Sequence, residues 1–413
     1  MKPHIHFHSD CSFFAGCENM LVNFFQNEQF MQDYRVTFSY RRSTPYETGF
    51  RSRVTRQFDT IPLGLLDTDL FNNISFKPAR LALKVISRLL LLKYWFVLWN
   101  TLVLYRAFGR SKIDVLHINN GGYPGAYSCM SAVFAARLRG IRKIVYVVNN
   151  IAFPYISLYR WLDYPLDRIV AKTVSVFVTG STYAGRKLTE VLRLPSSQIT
   201  TIHNGISPRI VTETRQEVLK RLGIQDGHLL IAVVANLEER KGHIYLFKAL
   251  KSLKDQGYES RLPLVLIEGT GTTFDDLMRF VRKEGLENDI KFIGTEANVF
   301  NLIDAVDIIA LPSISNEDFP NVILEAMSFG KTVIASRLAG TPEQVDHMQS
   351  GILVEPKDVE GLAQAIWQVV EDETSRKRLG KNALQRFNDR FVANISVANY
   401  VSLYLKLLEA NNR

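Results

Sequence analysis

Cysteine is scarce in this chain of 413 residues: Cys11, Cys17 and Cys129 are the whole complement. An odd number at these spacings fits neither a disulfide framework nor a zinc site. A reducing, cytoplasmic setting is expected from that usage. Low-complexity tracts and short repeats are missing, which argues against a disordered or collagen-like chain. The opening stretch MKPHIHFHSDCSFF lacks the basic and apolar regions of a signal peptide. The most apolar segment, residues 77–110, has its longest uncharged run over 94–105, which is 12 residues. A bilayer span needs roughly 18–20, so no transmembrane helix is expected there. No recognition helix or aromatic-basic motif of a known type occurs, so nucleic acid is not an expected partner.

What is present is ordinary in bulk and uneven in detail. The chain is 46% hydrophobic and 22% charged, as soluble globular proteins are. Its length suits two to three domains with sizeable cores. Residues 1–205 hold 25 Lys+Arg and 12 Asp+Glu, a net +13, whereas 206–413 hold 25 and 29, a net −4. A basic half beside a mildly acidic one points to an anionic surface as partner.

Short apolar runs alternate with longer amphipathic stretches. Strands are expected at 113–119, 143–148, 174–180 and 199–205, then at 228–237, 262–269, 290–295, 306–313 and 332–340. Helices are expected at 245–257, 274–285 and 320–329, with a helical pair at 375–412. This alternation predicts an α/β protein of two doubly wound parallel-sheet domains. The expected division is 1–206, 207–385 and a terminal helix 386–413 packing back toward the first domain. Over 77–110, read as one helix, Lys77, Arg80, Lys84, Arg88, Arg106 and Arg110 share a flank and Lys93 falls opposite. Such a basic stripe beside Leu, Trp and Phe suits peripheral contact with an anionic membrane. The alternative is a helix whose apolar side packs inward and whose basic side is merely solvated.

The densest signal is SNEDFPNVILEAMSFGK, residues 315–331. Glu317 precedes a helix and Glu325 lies within it, seven residues between them. Pro320 suits a first helical position and Gly330 a C-terminal cap. The segment follows a strand, so the helix start falls at the carboxyl edge of a parallel sheet, where such sheets bind ligands. Backbone N–H groups near Phe319–Val322 can hold a diphosphate there. Glu325 sits in an apolar run and needs donors, for which ribose hydroxyls or a structural arginine would serve.

This segment resembles the Glu-x7-Glu motif of retaining GT-B glycosyltransferases of the family 4 type, the group 1 transferases. HNGIS (203–207), VVANLEERKGH (233–243), IEGTG (267–271), FIGT (292–295), AGTPE (339–343) and SGILVEP (350–356) resemble the family's other landmarks in order and spacing. The resemblance implies two Rossmann-like domains facing a cleft. It implies Lys241, Glu317 and Asn149 at the reacting groups. Donor contacts would come from Gly16, Asn236, Arg240, Gly294, Asp318, Phe319, Pro320, Asn321, Val322 and Glu325. Gly16 lies in FFAGCENML (13–21), similar to the family's phosphate loop. His117, Gly121 and Tyr123 are placed on the acceptor side. Two positions depart from the pattern: Asn236 stands where an arginine is frequent, and Asn149 where a histidine is common. Asn149 can hydrogen-bond a sugar hydroxyl but cannot move a proton. Asp67-Thr68-Asp69 imitates a metal-binding Asp-x-Asp but lies far from the donor signals. No metal or other cofactor is expected. The implied reaction moves a hexose from a nucleoside-diphosphate sugar, such as a UDP- or GDP-sugar, to a lipid-linked glycan acceptor in surface polysaccharide synthesis. The alternative is a non-catalytic nucleotide-sugar-binding subunit or sensor of the same fold.

Overall fold

The computed structural model describes residues 2–14, 16–73 and 76–410. Ala15, inside the expected phosphate loop, lies outside the described residues. The chain divides into two compact units, Met1–Asn204 with Asn394–Arg413, and Gly205–Ala393. The second change of unit falls at 393/394 rather than 385/386, because the helix Glu373–Arg390 runs unbroken through the expected limit and packs on the second sheet.

The first unit carries β1 (His4–Ser9), β2 (Arg35–Arg41), β3 (Asp59–Leu63), β4 (Val115–Asn120), β5 (Ile144–Val148), β6 (Val176–Thr179) and β7 (Ile199–Thr201). All pair in parallel, in the order β3-β2-β1-β4-β5-β6-β7. Buried apolar clusters cover both faces. The strands β1 to β3 were not expected from the sequence. In β1, His4, His6 and His8 line one face at the period of two that strands impose. Their rings are bonded to Thr37, Ser39 and Ser128, so polar side chains are buried at no great cost. Ile5 and Phe7 turn to the other face and into an aromatic cluster with Phe24, Phe25 and Phe30.

The second unit carries β8 (Leu230–Val234), β9 (Leu264–Glu268), β10 (Ile290–Gly294), β11 (Ile308–Leu311), β12 (Thr332–Ser336) and β13 (Ile352–Val354). Their order is β10-β9-β8-β11-β12-β13, again parallel throughout. These strands are nearly continuous Ile, Leu, Val and Ala, as sheets covered on both faces require. In each unit the winding reverses between two neighbours, β1 with β4 and β8 with β11. Loops leaving the carboxyl ends of such a pair diverge and open a crevice.

The segment 77–110 is two helices, Lys77–Leu89 and Leu92–Phe108, not one. Leu91 between them is left-handed, with φ 50°, which breaks the assumed stripe. Lys93 is fully buried and its Nζ is 2.6 Å from Asp163 Oδ1. The first helix is turned inside out relative to the inward-packed alternative. Ser87 is buried, whereas Leu81, Leu83, Val85, Ile86 and Leu89 face solvent, Leu89 at 77%. The next helix exposes Trp95, Leu98, Trp99 and Leu102 on one side. No helix among the described residues is long and apolar enough to cross a membrane.

Candidate active site

In the second unit the loops after β8 and β11 leave the switch point side by side. Gly242, at φ +71°, follows a short 3-10 turn over Glu239–Lys241. A Cβ there would sit 2.0 Å from the Pro312 carbonyl, so only glycine allows this approach. Ile314 N–H donates to the Arg240 carbonyl at 2.7 Å and pins the two loops together. That pinning sets Lys241 against Glu317. The Lys241 ammonium bonds Glu317 Oε1, Arg240 Nη1 reaches the same oxygen at 3.1 Å, and Ser313 Oγ donates to it at 3.3 Å. Arg240 Nε also holds Glu238, at 2.6 Å. Two cations therefore converge on one largely buried carboxylate at the carboxyl edge of the sheet.

The helix Asn321–Ser328 starts from this edge. Pro320 is its N-cap, one position earlier than expected, with φ −65° and ψ 125°. Its carbonyl accepts from Gln344 Nε2 at 3.1 Å, and the Asp318 carbonyl accepts from Gly340 N–H at 3.0 Å. Asp318 is buried, and Val322 is partly exposed on the first turn. The side chain of Phe319 packs edge-on against Phe391, centroids 5.8 Å apart. Asn321 opens the helix. Gly330, at φ +65°, ends it as expected.

Glu325 lies one turn in. Its Oε1 is 3.2 Å from Arg209 Nη2, and the Arg209 guanidinium lies 4.9 Å from the Phe300 ring centroid. Burial pushes the Glu325 carboxyl up, and Arg209 pulls it partly back. The structure thus supplies the arginine partner that was one of the two expected options. Arg209 and Ser313 were missed by sequence reading. Arg209 is 116 residues from Glu325, and no spacing rule links them. Asn236 is exposed just past the end of β8 and takes no part in the Lys241–Glu317 cluster. Gly294 closes β10 at φ +72°, and its carbonyl accepts from Gly269 N–H at 2.7 Å.

In the first unit, Asn149 follows β5 and is partly exposed. Its Nδ2 donates to Asn119 Oδ1 at 2.8 Å and to the Asn120 carbonyl at 3.0 Å. Gly16 opens the helix Gly16–Gln26 and is exposed. Gly121 is also exposed, just past β4. Cys17 Sγ donates to Glu18, and burial holds its thiol well above the usual range, which keeps it protonated and unreactive.

Two acceptor-side expectations are corrected. His117 is the third residue of β4, 1% exposed, with Nδ1 2.6 Å from Tyr404 Oη and its ring 4.7 Å from Phe7. Burial pushes its imidazole down to about 3, so it is a neutral core residue. Tyr123 is buried too, and its hydroxyl donates to Asp167 at 2.9 Å. The Asp67–Asp69 motif is engaged internally. Asp69 takes Arg41 through both guanidinium nitrogens, at 2.6 and 2.7 Å, while Asp67 accepts from Thr68. Among the described residues no group of three or more His, Cys, Asp or Glu is arranged to hold a metal ion.

Two family models match this chain. That for glycosyl transferases group 1 covers residues 214–386, and that for Glycosyltransferase Family 4 covers 69–209. The chain is 26% identical to the N-acetyl-alpha-D-glucosaminyl L-malate synthase of Bacillus anthracis, over 72% of this chain and 76% of that protein. It is 23% identical to the UDP-Gal:alpha-D-GlcNAc-diphosphoundecaprenol alpha-1,3-galactosyltransferase of Escherichia coli, over 65% and 70%. In three dimensions it resembles the HepE protein of Anabaena in complex with UDP, with a TM-score of 0.73 at 19% identity over 98% and 99% of the two chains. That likeness shows the GT-B fold.

Proposed function

Since this chain belongs to the group 1 glycosyltransferases, we propose that it is a retaining, metal-independent enzyme that moves a hexose from a nucleoside-diphosphate sugar to a lipid-linked glycan acceptor. The observation that carries this reading is the convergence of Lys241, Arg240 and Ser313 on Glu317, beside a helix start that presents Glu325. Cations are needed where the leaving diphosphate gains charge. Lys241 and Arg240 supply them, and Glu317 holds both in place until the donor arrives. The backbone N–H groups of Phe319, Asn321 and Val322 take the diphosphate oxygens. Glu325 accepts from ribose hydroxyls, with Arg209 keeping its carboxylate charged. Glu317 hydrogen-bonds the transferred sugar. In the reaction the C1–O bond to the diphosphate breaks and the acceptor oxygen bonds to C1 on the same face. The acceptor proton passes to the departing phosphate oxygen, so no histidine base is required and Asn149 is compatible with turnover.

The lipid-linked acceptor, a place in surface polysaccharide assembly (lipopolysaccharide, O-antigen or capsule) and work at the inner face of the cell membrane draw support from the basic first half and from the exposed apolar side of Lys77–Leu89 and Leu92–Phe108. The named substrate of the Escherichia coli relative, a diphosphoundecaprenol, agrees with it. The test is binding and hydrolysis of UDP-, GDP- and ADP-sugars with EDTA present, on wild type and Glu325→Ala. One donor turned over without metal, and lost on Glu325→Ala, is the expected result. Donor binding without turnover on any lipid-linked acceptor would favour a sensor, and no nucleotide-sugar binding at all would overturn the assignment.

A further inference from the structure

The first unit has a cavity of about 230 Å³ between the helix Lys77–Leu89 and the carboxyl edge of its sheet. Thr68, Asp69, Lys84, Ser87, Arg88, Tyr127 and Tyr159 line it, with Phe71. Lys84, Ser87 and Arg88 lie on one helix face, three or four residues apart. Neither Lys84 nor Arg88 has an ion-pair partner among the described residues. Ser87 is 2% exposed, and its hydroxyl is buried with no hydrogen-bond partner among them. A buried hydroxyl without a partner is costly and calls for a ligand atom. The one carboxylate on the wall, Asp69, is neutralised by Arg41, whose Nε is also 2.7 Å from Asp10. Two cations and two hydroxyls thus face a pocket walled by two tyrosines.

The same helix turns Leu81, Val85, Ile86 and Leu89 outward. Soluble amphipathic helices do the opposite, with their apolar stripe inward. A ligand that satisfies both sides has an anionic, hydrogen-bonding head and an apolar chain. We propose that this cavity binds the phosphate head of a membrane lipid, with Lys84 and Arg88 on the phosphate, Ser87 donating to it, and the lipid chain running along the exposed leucines. The proposal deepens the lipid-linked acceptor reading and rests on it.

Calorimetric titration of the full chain with farnesyl diphosphate tests this, with farnesol and inorganic pyrophosphate as the two control ligands. The variants are Lys84→Gln with Arg88→Gln, and Ser87→Leu, which fills the cavity. UDP titration into every variant reports on the donor site and on folding. Farnesyl diphosphate should bind wild type, and each variant should weaken it by roughly tenfold to a hundredfold, the worth of one or two charged hydrogen bonds, while UDP affinity stays unchanged. Equal binding to wild type and variants would overturn the site, as would binding of UDP with none of farnesyl diphosphate. Pyrophosphate binding as tightly as farnesyl diphosphate would overturn the lipid part. Loss of UDP binding by wild type itself would instead strike the transferase reading, which keeps the two failures apart.

Discussion

The two units share a winding and differ in what they do with charge. In the second, cations stand at the rim of the sheet: Lys241 and Arg240 meet Glu317 there, partly open to solvent. In the first, charge is sunk into the fold. Lys93 lies at 0% side-chain exposure on Asp163, and Arg160 joins both Asp163 and Asp167. At the ends of β4 and β5 its sheet edge is instead tied off by neutral amides, Asn119, Asn120 and Asn149. The contrast teaches that an ion pair at an edge is available for chemistry, while one in the interior holds the structure.

Lys93→Ala gives the sharpest test of this division. It leaves Asp163 buried beside a single, longer contact to Arg160 at 3.4 Å. Breaking a buried pair costs about 3–5 kcal/mol, so urea unfolding should show that loss with UDP affinity unmoved. A loss under about 1 kcal/mol would mean the pair behaves as a surface bridge. Lys241→Ala should show the reverse pattern. Turnover should fall roughly 10²- to 10³-fold, about 3–4 kcal/mol of transition-state stabilisation, with little change in unfolding. Equal losses in stability and rate would erase the distinction between the units.

Acid should separate the units more gently. Burial pushes His8 down to about 4 and His117 to about 3, and holds His6 well below its ordinary value. Unfolded, these rings take protons below about pH 6.5, so their stabilisation is complete above that pH. It is lost as pH falls toward the folded values, at about 1.4 kcal/mol per histidine and pH unit. Asp10, held up to about 6 by burial, works the other way, because the folded protein takes up its proton first. Burial raises Asp67 and Asp167 as well and lowers His4, so the carboxyls offset part of the histidine loss. The second unit has one comparable ring, His243, at about 4. Hydrogen exchange between pH 7 and 4.5 should therefore show the first unit opening first. Opening of Gly205–Ala393 ahead of it would refute the account.

The second unit was largely legible in the sequence because its strands are apolar runs closed by Gly and Pro. Its candidate site could be picked out because Glu317 and Glu325 belong to one short segment. The first unit resisted for a physical reason. β1 is half histidine, and a buried histidine makes sense only once Thr37 and Ser39 on β2 are known to face it. His117 and Tyr123 were placed at a rim because each ends or follows an apolar run. The register Phe7↔His117 decided instead that this ring is core.

By itself the sequence determined the α/β winding, the division near residue 205, the order of the family-like motifs and the spacing of the two glutamates, all of which rest on neighbours along the chain. The tertiary structure alone decided that Arg209 meets Glu325, that Lys93 is buried, and that the helix Lys77–Leu89 turns its leucines outward. Those outcomes depend on which distant surfaces meet. A helical pattern sets which residues share a face, but packing chooses which face turns inward.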